Sequence, residues 1–208
     1  MIEQSDVAKT GGKRIGLLGG SFNPAHGGHR RISLFLLRAL GLDEVWWMVS
    51  PGNPLKPRAG MAPLGVRVRS AMAQARRAPI RVTAIERELG TRYTVDTLRA
   101  IERRFPKHRF VWLMGSDNLV QFDLWDRWRQ IAASVPIGVL SRPGSRVAAR
   151  HAPAAQIMRR WRLPQFRAGE LAMCDPPAWV LVNLPMSPQS STAIRAARNE
   201  LKPDGGAE

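Results

Sequence analysis

Residues 19–29 read Gly-Gly-Ser-Phe-Asn-Pro-Ala-His-Gly-Gly-His, and they decide the fold of this 208-residue chain. The residues before them, 14–18, read Arg-Ile-Gly-Leu-Leu and are short and apolar enough for a buried strand. Apolar side chains then recur at helical spacing from 32 to 40, and Gly41 is a natural helix end. The stretch therefore predicts a strand, a glycine turn and a helix.

A strand, a glycine turn and a helix in this order are typical of a phosphate site. Backbone N–H groups and the positive end of the helix dipole converge on the turn. His26 and His29 lie at the start of the predicted helix. Imidazolium groups or neutral N–H donors at this point can stabilise charge on a phosphoryl group during transfer. We therefore predict that the turn binds phosphates and that both histidines are catalytic.

The composition indicates one globular domain. We place it at residues 13–201, between a flexible lead-in at 1–12 and a flexible tail at 202–208. The longest apolar runs are far shorter than a membrane span, so no membrane partner is expected. Cys174 is the one cysteine, which excludes an intramolecular disulfide and a cysteine metal site and fits a reducing cytoplasm.

The formal net charge of +16 raises the question of polyanionic partners such as nucleic acid. The arginines are scattered, often on the polar side of helical patterns, and no RNA-binding aromatic motif is seen. A basic surface around a site that handles several phosphates is the favoured interpretation, without a specific nucleic-acid partner. Monomer and homo-oligomer both remain open.

Strand patterns alternate with helical patterns along the chain, which predicts an α/β fold: a Rossmann-like, doubly wound parallel sheet with helices on both faces. The expected strands are 14–18, 45–49, 80–85, 109–114, 136–140 and 179–184. The expected helices are 63–78, one capped by Thr94, 119–131, a basic surface helix at 146–161, and 191–201. Ligands bind beyond the carboxyl ends of such strands. Several chemistry-bearing residues follow strands directly: His26, His29, Asn53, Lys56, Asp117, Arg142, Ser191 and Arg195.

A dinucleotide-binding dehydrogenase has the same layout but needs other residues. Its first turn carries Gly-x-Gly-x-x-Gly, and an acidic residue ends its second strand. Here the turn reads Gly19-Gly20-Ser21, and the second strand ends in Val49-Ser50. The dehydrogenase interpretation therefore fails at both positions.

Two motifs together resemble the HxGH nucleotidyltransferase superfamily. The first is the stretch at 19–29, in which Asn23 stands where the superfamily usually has Asp; both residue types form turns. The second is Ser-Ser-Thr-Ala-Ile-Arg at 190–195, which resembles Ser-Ser-Thr-x-x-Arg. Hydroxyls at a helix start can cap the helix or bind phosphate, and Arg195 lies one turn inside.

Segments between the two motifs look like those of bacterial nicotinate-nucleotide adenylyltransferases. They are 92–98 (Arg-Tyr-Thr-Val-Asp-Thr-Leu), 115–119 (Gly-Ser-Asp-Asn-Leu), Trp125 and 141–144 (Ser-Arg-Pro-Gly). The resemblance runs from about 13 to 201; Leu55 departs from it, because a histidine often precedes the lysine at 56. It implies adenylyl transfer from ATP to nicotinate mononucleotide, giving deamido-NAD and pyrophosphate. The alternatives are another transferase of the superfamily, such as phosphopantetheine adenylyltransferase, or a basic nucleic-acid-binding protein on a nucleotide-binding fold.

The resemblance also implies roles for individual residues, and for Trp125 core packing is the alternative. Mg²⁺ would be carried by the ATP phosphates, with no metal site of the protein's own. The catalytic residues would be His26, His29, Lys56 and Arg195. ATP would be bound by Gly19, Gly20, Ser21, Phe22, His26, His29, Gly115, Asp117, Ser190, Ser191, Thr192 and Arg195. Nicotinate mononucleotide would be bound by Asn23, Asn53, Lys56, Tyr93, Thr94, Trp125 and Arg142.

Overall fold

A computed structural model describes residues 12–52, 60–141 and 146–183. These residues form a seven-stranded sheet in the order β3-β2-β1-β4-β5-β7-β6, and every neighbouring pair is parallel. The predicted parallel α/β fold is therefore confirmed. The strands are β1 (Arg14–Gly20), β2 (Glu44–Val49), β3 (Ile80–Thr83), β4 (Arg109–Gly115), β5 (Ile137–Ser141), β6 (Arg162–Leu163) and β7 (Trp179–Asn183).

Helices connect the strands, as right-handed crossovers between parallel strands require. Short 3₁₀ helices cover 122–124, 159–161 and 165–173. The α-helices are α1 (Gly27–Ala39), α2 (Leu64–Ala75), α3 (Ile85–Glu88), α4 (Thr94–Arg104), α5 (Ser116–Val120), α6 (Trp128–Ser134), α7 (Arg146–His151) and α8 (Pro153–Ile157).

Both faces of the sheet are buried, which is why the strands are apolar almost throughout. On β2, Trp46 belongs to the core layer that also contains residues of α4, and Trp47 belongs to the layer that contains residues of α1 and α2. The Trp47 indole Nε1 donates to the Ser33 hydroxyl of α1 at 2.7 Å. This bond satisfies a buried polar group on each partner and ties α1 to the sheet.

The position of the site follows from the strand order. The chain first builds the sheet outward from β1 through β2 to β3, and then returns to place β4 on the other side of β1. At such a switch point the connections leave in opposite directions and open a crevice at the carboxyl ends of the strands. The glycine turn follows β1 directly and therefore lies at this crevice.

The prediction of one basic surface helix at 146–161 is wrong. The chain forms α7, α8 and a 3₁₀ turn instead, and Pro153 is the first residue of α8. A proline has no N–H and is accepted at a helix start but not inside one. The small residues Ala149 and Ala154 are fully buried, so the segment packs on the core between its exposed arginines.

Smaller differences concern the ends of elements. The strand expected at 80–85 stops at Thr83, because Ile85 begins α3. The helix expected over 119–131 is α5, a 3₁₀ turn and α6, and Arg127 before α6 has a left-handed backbone with φ +48°. Strand β6 and the 3₁₀ helix at 165–173 were not predicted. The predicted helix at 191–201, the tail at 202–208 and all of the lead-in except Gly12 lie outside the described residues.

Candidate active site

The two histidines of the glycine turn are fixed by hydrogen bonds to the start of α1. His26 is the N-cap residue, and its Nδ1 accepts from the Gly28 N–H at 3.1 Å. The His26 N–H in turn donates to Nδ1 of His29 at 3.3 Å, which completes a capping box. We call residues 21–29 the histidine turn.

This arrangement favours one tautomer of both rings. Each Nδ1 accepts a hydrogen bond, so it does not itself carry a proton. Each ring is then the neutral tautomer with its proton on Nε2, and each can donate one hydrogen bond from that nitrogen. Of the two forms considered from the sequence, imidazolium or neutral donor, these hydrogen bonds fit the neutral donor.

Aromatic rings support the histidine turn from the core side. The His29 ring lies 3.9 Å from the His26 ring and 4.9 Å from the Phe22 ring, centroid to centroid. Phe22 stacks at 5.0 Å on Trp47 of β2 and is only 2% exposed. The Phe22 side chain is therefore part of the core, and any contact of this residue with a nucleotide is left to its backbone.

Glycine is required at the end of β1 by the neighbouring strand. A Cβ on Gly19 would lie 2.9 Å from the ring of Trp112 on β4, too close for any real contact. The next residue, Gly20, accepts through its carbonyl from the Ser50 N–H at 2.9 Å. The turn after β1 is thus packed against β4 on one side and bonded to the end of β2 on the other.

Asn23 has a structural role that sequence reasoning missed. Its Nδ2 donates to the Gly60 carbonyl at 3.0 Å, and its Oδ1 accepts from the Ala62 N–H at 3.3 Å. These bonds run 37 and 39 residues along the chain, so no local pattern reveals them. A carboxylate cannot donate to the Gly60 carbonyl, so the asparagine makes a bond here that aspartate would lose.

Arg67 is a second residue that sequence reasoning missed. It is only 2% exposed, and its Nε donates to the Ala62 carbonyl at 2.9 Å. Its Nη1 donates to the carbonyls of Ser21 at 2.7 Å and Ser50 at 2.8 Å. Burial lowers the pKa of the guanidinium. The sequence carried one indication of this burial. Arg67, Ala71 and Ala75 are spaced four residues apart and form the buried face of α2.

The start of α4 differs from the prediction in one respect. Thr94 does not cap the helix: the N-cap is Tyr93, and Thr94 is the first helical residue. No side chain caps this end, and the Tyr93 carbonyl accepts from the N–H groups of Asp96 and Thr97 at 3.1 Å each. Within residues 12–52, 60–141 and 146–183, nothing accepts from the backbone N–H groups of Thr94 and Val95.

Trp125 lies at the edge of the core. It is partly buried, and its ring meets Phe122 at 5.4 Å and Trp112 at 6.2 Å, edge to face. One part of the indole thus packs on the core, and the remainder faces outward. Along the same crevice Gly115 ends β4, and the exposed Asp117 lies in the first turn of α5.

A carboxyl group near the end of β2 was also missed. Glu86 follows β3, and burial raises the pKa of its carboxyl, while a hydrogen bond with the Ser50 hydroxyl opposes that shift. The Glu86 carbonyl accepts from the Thr91 N–H at 3.0 Å, on the chain that leads to α4. Glu86 therefore links the second strand with the approach to α4.

Twelve predicted site residues lie in the part that the structure describes. They are at the ends of β1 and β4, in the histidine turn, at the starts of α4 and α5, and in the turn before α6. The other predicted site residues lie outside the described residues: Asn53, Lys56, Arg142, Ser190, Ser191, Thr192 and Arg195. In the described part no three His, Cys, Asp or Glu side chains come together as a metal site. No helix there is both long and apolar enough to cross a membrane.

A basic cavity of about 300 Å³ lies elsewhere. It is lined by residues of α7 and α8, by Arg162 and by Trp179. The last two begin β6 and β7, so this cavity is at the amino ends of the strands. It is therefore on the opposite edge of the sheet from the histidine turn.

Comparison with known proteins now decides the family. A profile described as cytidylyltransferase-like matches residues 17–197. A curated probable nicotinate-nucleotide adenylyltransferase of Erythrobacter litoralis is 57% identical over 184 residues, 88% of this chain and 84% of that protein. The chain belongs to the nicotinate-nucleotide adenylyltransferases. A second such protein, from Cereibacter sphaeroides, is 53% identical over 182 residues, 88% of this chain and 96% of that protein. The family expected from the sequence motifs is confirmed.

Solved structures share the fold at low identity. A nicotinic acid mononucleotide adenylyltransferase of Plasmodium falciparum, solved in complex with NaAD, has a TM-score of 0.65 and 16% identity, over 88% of this chain and 83% of that one. A putative nicotinate-nucleotide adenylyltransferase of Vibrio parahaemolyticus has a TM-score of 0.51 and 18% identity, over 71% and 79%. These similarities support the architecture alone.

Proposed function

We propose that this chain transfers the adenylyl group of ATP to the phosphate of nicotinate mononucleotide, forming deamido-NAD and pyrophosphate. The observation that carries the proposal is the histidine turn: two neutral imidazoles, each with its proton on Nε2, at the carboxyl end of β1. The relatives that share this family are named for the same reaction.

The reaction needs no nucleophile from the protein. A phosphate oxygen of nicotinate mononucleotide forms a bond to the α-phosphorus of ATP, and the bond from that phosphorus to the oxygen shared with the β-phosphate breaks. The bonding electrons leave with pyrophosphate. Positioning and charge stabilisation therefore supply most of the catalysis.

The histidines provide the charge stabilisation. In this proposal the Nε2–H groups of His26 and His29 donate to oxygens of the α-phosphoryl group and to the bridging oxygen as negative charge develops there. Fixed donors of this kind are worth about 2.7–4 kcal/mol each in transition-state stabilisation. Because the capping box and the aromatic rings already fix both side chains, they do not have to reorganise during the reaction.

The start of α4 provides the recognition of the acceptor. The N–H groups of Thr94 and Val95 and the positive end of the helix dipole suit the carboxylate of the nicotinate ring. Trp125 stacks on the ring.

ATP is bound at the end of β1 and after β4. Its phosphates are contacted by the backbone of Gly19, Gly20, Ser21 and Phe22. Asp117, which follows β4 and is exposed, accepts hydrogen bonds from the ribose hydroxyls of ATP.

The remaining roles rest on the resemblance. Ser191, Thr192 and Arg195 hold the departing phosphates, and Lys56 assists. Ser190 and Gly115 also bind ATP. Asn53 and Arg142 contact the mononucleotide, and Asn23 adds its bonds to the segment at 60–62. Mg²⁺ arrives bound to ATP. This ion keeps several of its waters and binds through substrate phosphates. The described residues form no carboxylate cage for it.

One assay tests the reaction directly. Pyrophosphate release from MgATP is measured with nicotinate mononucleotide, nicotinamide mononucleotide, phosphopantetheine and no acceptor, and the product mass is determined. We expect release with nicotinate mononucleotide and a product of the mass of deamido-NAD. Release with phosphopantetheine alone would assign the chain to a different reaction of the superfamily, and no release with any acceptor would contradict the proposal.

A further inference from the structure

Arg67 is an unusual group to find beneath a phosphate site. A guanidinium that is 2% exposed normally has a carboxylate partner, since the desolvation of a buried charge is costly. No described acidic side chain lies within ion-pair distance of Arg67. Its hydrogen bonds go instead to three backbone carbonyls, at 2.7, 2.8 and 2.9 Å.

These three carbonyls belong to three separate parts of the site. Ser21 begins the histidine turn after β1, Ser50 follows β2, and Ala62 lies just before α2. The planar, rigid guanidinium of Arg67 therefore fixes the distances among the histidine turn, the end of β2 and the start of α2. Ser50 and Ala62 also flank residues 53–59, the stretch that contains the predicted Lys56.

The bond to Ser21 has a further geometric consequence. A trans peptide unit is planar, with its C=O and N–H pointing in opposite directions. The Ser21 carbonyl points to Arg67, so the Phe22 N–H of the same peptide unit points away from it. No described residue accepts a hydrogen bond from this N–H. The positive charge of Arg67 also polarises the unit so that its N–H becomes a stronger donor.

We propose that Arg67 is a positioning residue for adenylyl transfer: by holding the Ser21, Ser50 and Ala62 carbonyls it aims the Phe22 N–H at the ATP phosphates and sets the place of the histidine turn. This inference rests on the proposed function. Asn23 supports the same arrangement, because its amide donates to the Gly60 carbonyl and accepts from the Ala62 N–H.

The test compares Arg67→Lys with two control variants on the same helix. Lysine keeps the charge but cannot form the planar fork. Arg69→Lys makes the same chemical change at an exposed position of α2. Ala71→Gly lowers stability through helix propensity at a fully buried position, without contact to the three carbonyls. Each variant is assayed well below its own unfolding midpoint.

For Arg67→Lys we expect kcat to fall by about 10- to 100-fold, the effect of a small misplacement of reacting groups. The ratio of kcat/KM for nicotinate mononucleotide to that for nicotinamide mononucleotide should change by less than about 2-fold, because Arg67 forms no hydrogen bond to the start of α4, where the two acceptors are distinguished. Both controls should keep the kcat of the unmodified chain. An unchanged kcat in Arg67→Lys overturns the proposal, and so does an equal loss in Ala71→Gly, which would indicate a purely structural role.

Two further arms keep the test decisive. If Arg67→Lys does not fold, Arg67→Ala is assayed with and without ethylguanidinium; recovery of turnover supports the proposal, and recovery of folding without turnover overturns it. If the unmodified chain releases no pyrophosphate with any acceptor, the proposed function fails separately. Binding of pyrophosphate measured by calorimetry then tests Arg67 alone, with about 10-fold weaker binding expected in Arg67→Lys and equal binding contradicting it.

Discussion

Two helices of this protein begin beside the crevice, and their first turns are built in opposite ways. At the start of α1, His26 caps the helix with its own side chain, and His29 returns a bond to the His26 backbone. At the start of α4 no side chain caps the helix, and the N–H groups of Thr94 and Val95 have no acceptor among the described residues.

This difference in capping indicates what each helix start can bind. At α1 the helix N–H groups are partly used internally, and the donors that we propose for a ligand are the two Nε2–H groups. These sit on side chains held in place by Phe22 and by each other, which suits a reacting phosphoryl group. At α4 the backbone itself is the donor, which suits a planar carboxylate that accepts two hydrogen bonds.

The largest effect is expected at the first of these turns. His29→Ala should lower kcat by about two to four orders of magnitude with the fold retained, because the proposed donor to the phosphoryl group is lost. His29→Asn sharpens the test, since its amide oxygen can still accept from the His26 N–H but its shorter side chain places no donor at the position of Nε2. Steady-state kinetics and circular dichroism are measured for both. Turnover at the unmodified rate in His29→Asn would show that the imidazole is only a cap.

The next effect is expected at the start of α4. Thr94→Pro removes one backbone N–H from the first helical position, where proline is tolerated. The kcat/KM for nicotinate mononucleotide should fall by about 10- to 100-fold, the value of a charge-assisted hydrogen bond, and that for the nicotinamide form should change far less. Thr94→Ala, which keeps the N–H, is the control. Equal losses for both mononucleotides in Thr94→Pro would refute backbone recognition of the carboxylate.

A smaller and unselective effect is expected at Trp125. Its indole is partly exposed and can stack on either pyridine ring, so Trp125→Leu should raise the KM for both mononucleotides by about 3- to 10-fold, equivalent to roughly 0.5–1.5 kcal/mol. Their kcat/KM ratio should stay constant. Trp125→Phe, which keeps an aromatic face, should lose less. A changed ratio would move part of the discrimination from the α4 backbone to the indole.

The smallest effect concerns Glu86, on the approach to α4. Burial raises the pKa of its carboxyl in the folded protein, so the neutral form is favoured by folding. Its stabilising contribution is complete below the unfolded-state pKa of about 4.3 and is lost as the pH rises through the folded-state pKa. Glu86→Gln should therefore raise the unfolding temperature at pH 8 relative to the unmodified chain, with no gain at pH 4. Thermal unfolding at the two pH values checks this, and a lower midpoint at pH 8 would contradict it.

The parts of the fold that sequence reasoning predicted are those encoded locally. The strand before the turn, the helix after it and its end at Gly41, where φ is +60°, all follow from apolar spacing and glycine. The histidine turn was predicted for the same reason, because its residues are neighbours in the chain. The parallel order of the sheet followed from alternation alone.

The parts that were missed depend on partners far along the chain. Arg67 carries a charge and would ordinarily be placed at the surface, and only the carbonyls of Ser21, Ser50 and Ala62 make its burial possible. The arginines of 146–161 led to the prediction of one surface helix. The alanines of this segment are buried, and Pro153 starts a new helix within it. Thr94 was predicted to be the N-cap of α4. The N-cap is Tyr93, and Thr94 is already the first residue inside the helix.

The measurement that tests the central claim most directly is the ratio of kcat/KM for nicotinate mononucleotide to that for nicotinamide mononucleotide, under identical MgATP. The two acceptors differ only by a carboxylate against an amide. The amide places an NH₂ group against the α4 donors and leaves polar groups poorly paired. We predict a ratio of about 10² or more. Equal efficiency, or a preference for the nicotinamide form, would contradict it even if adenylyl transfer itself were observed.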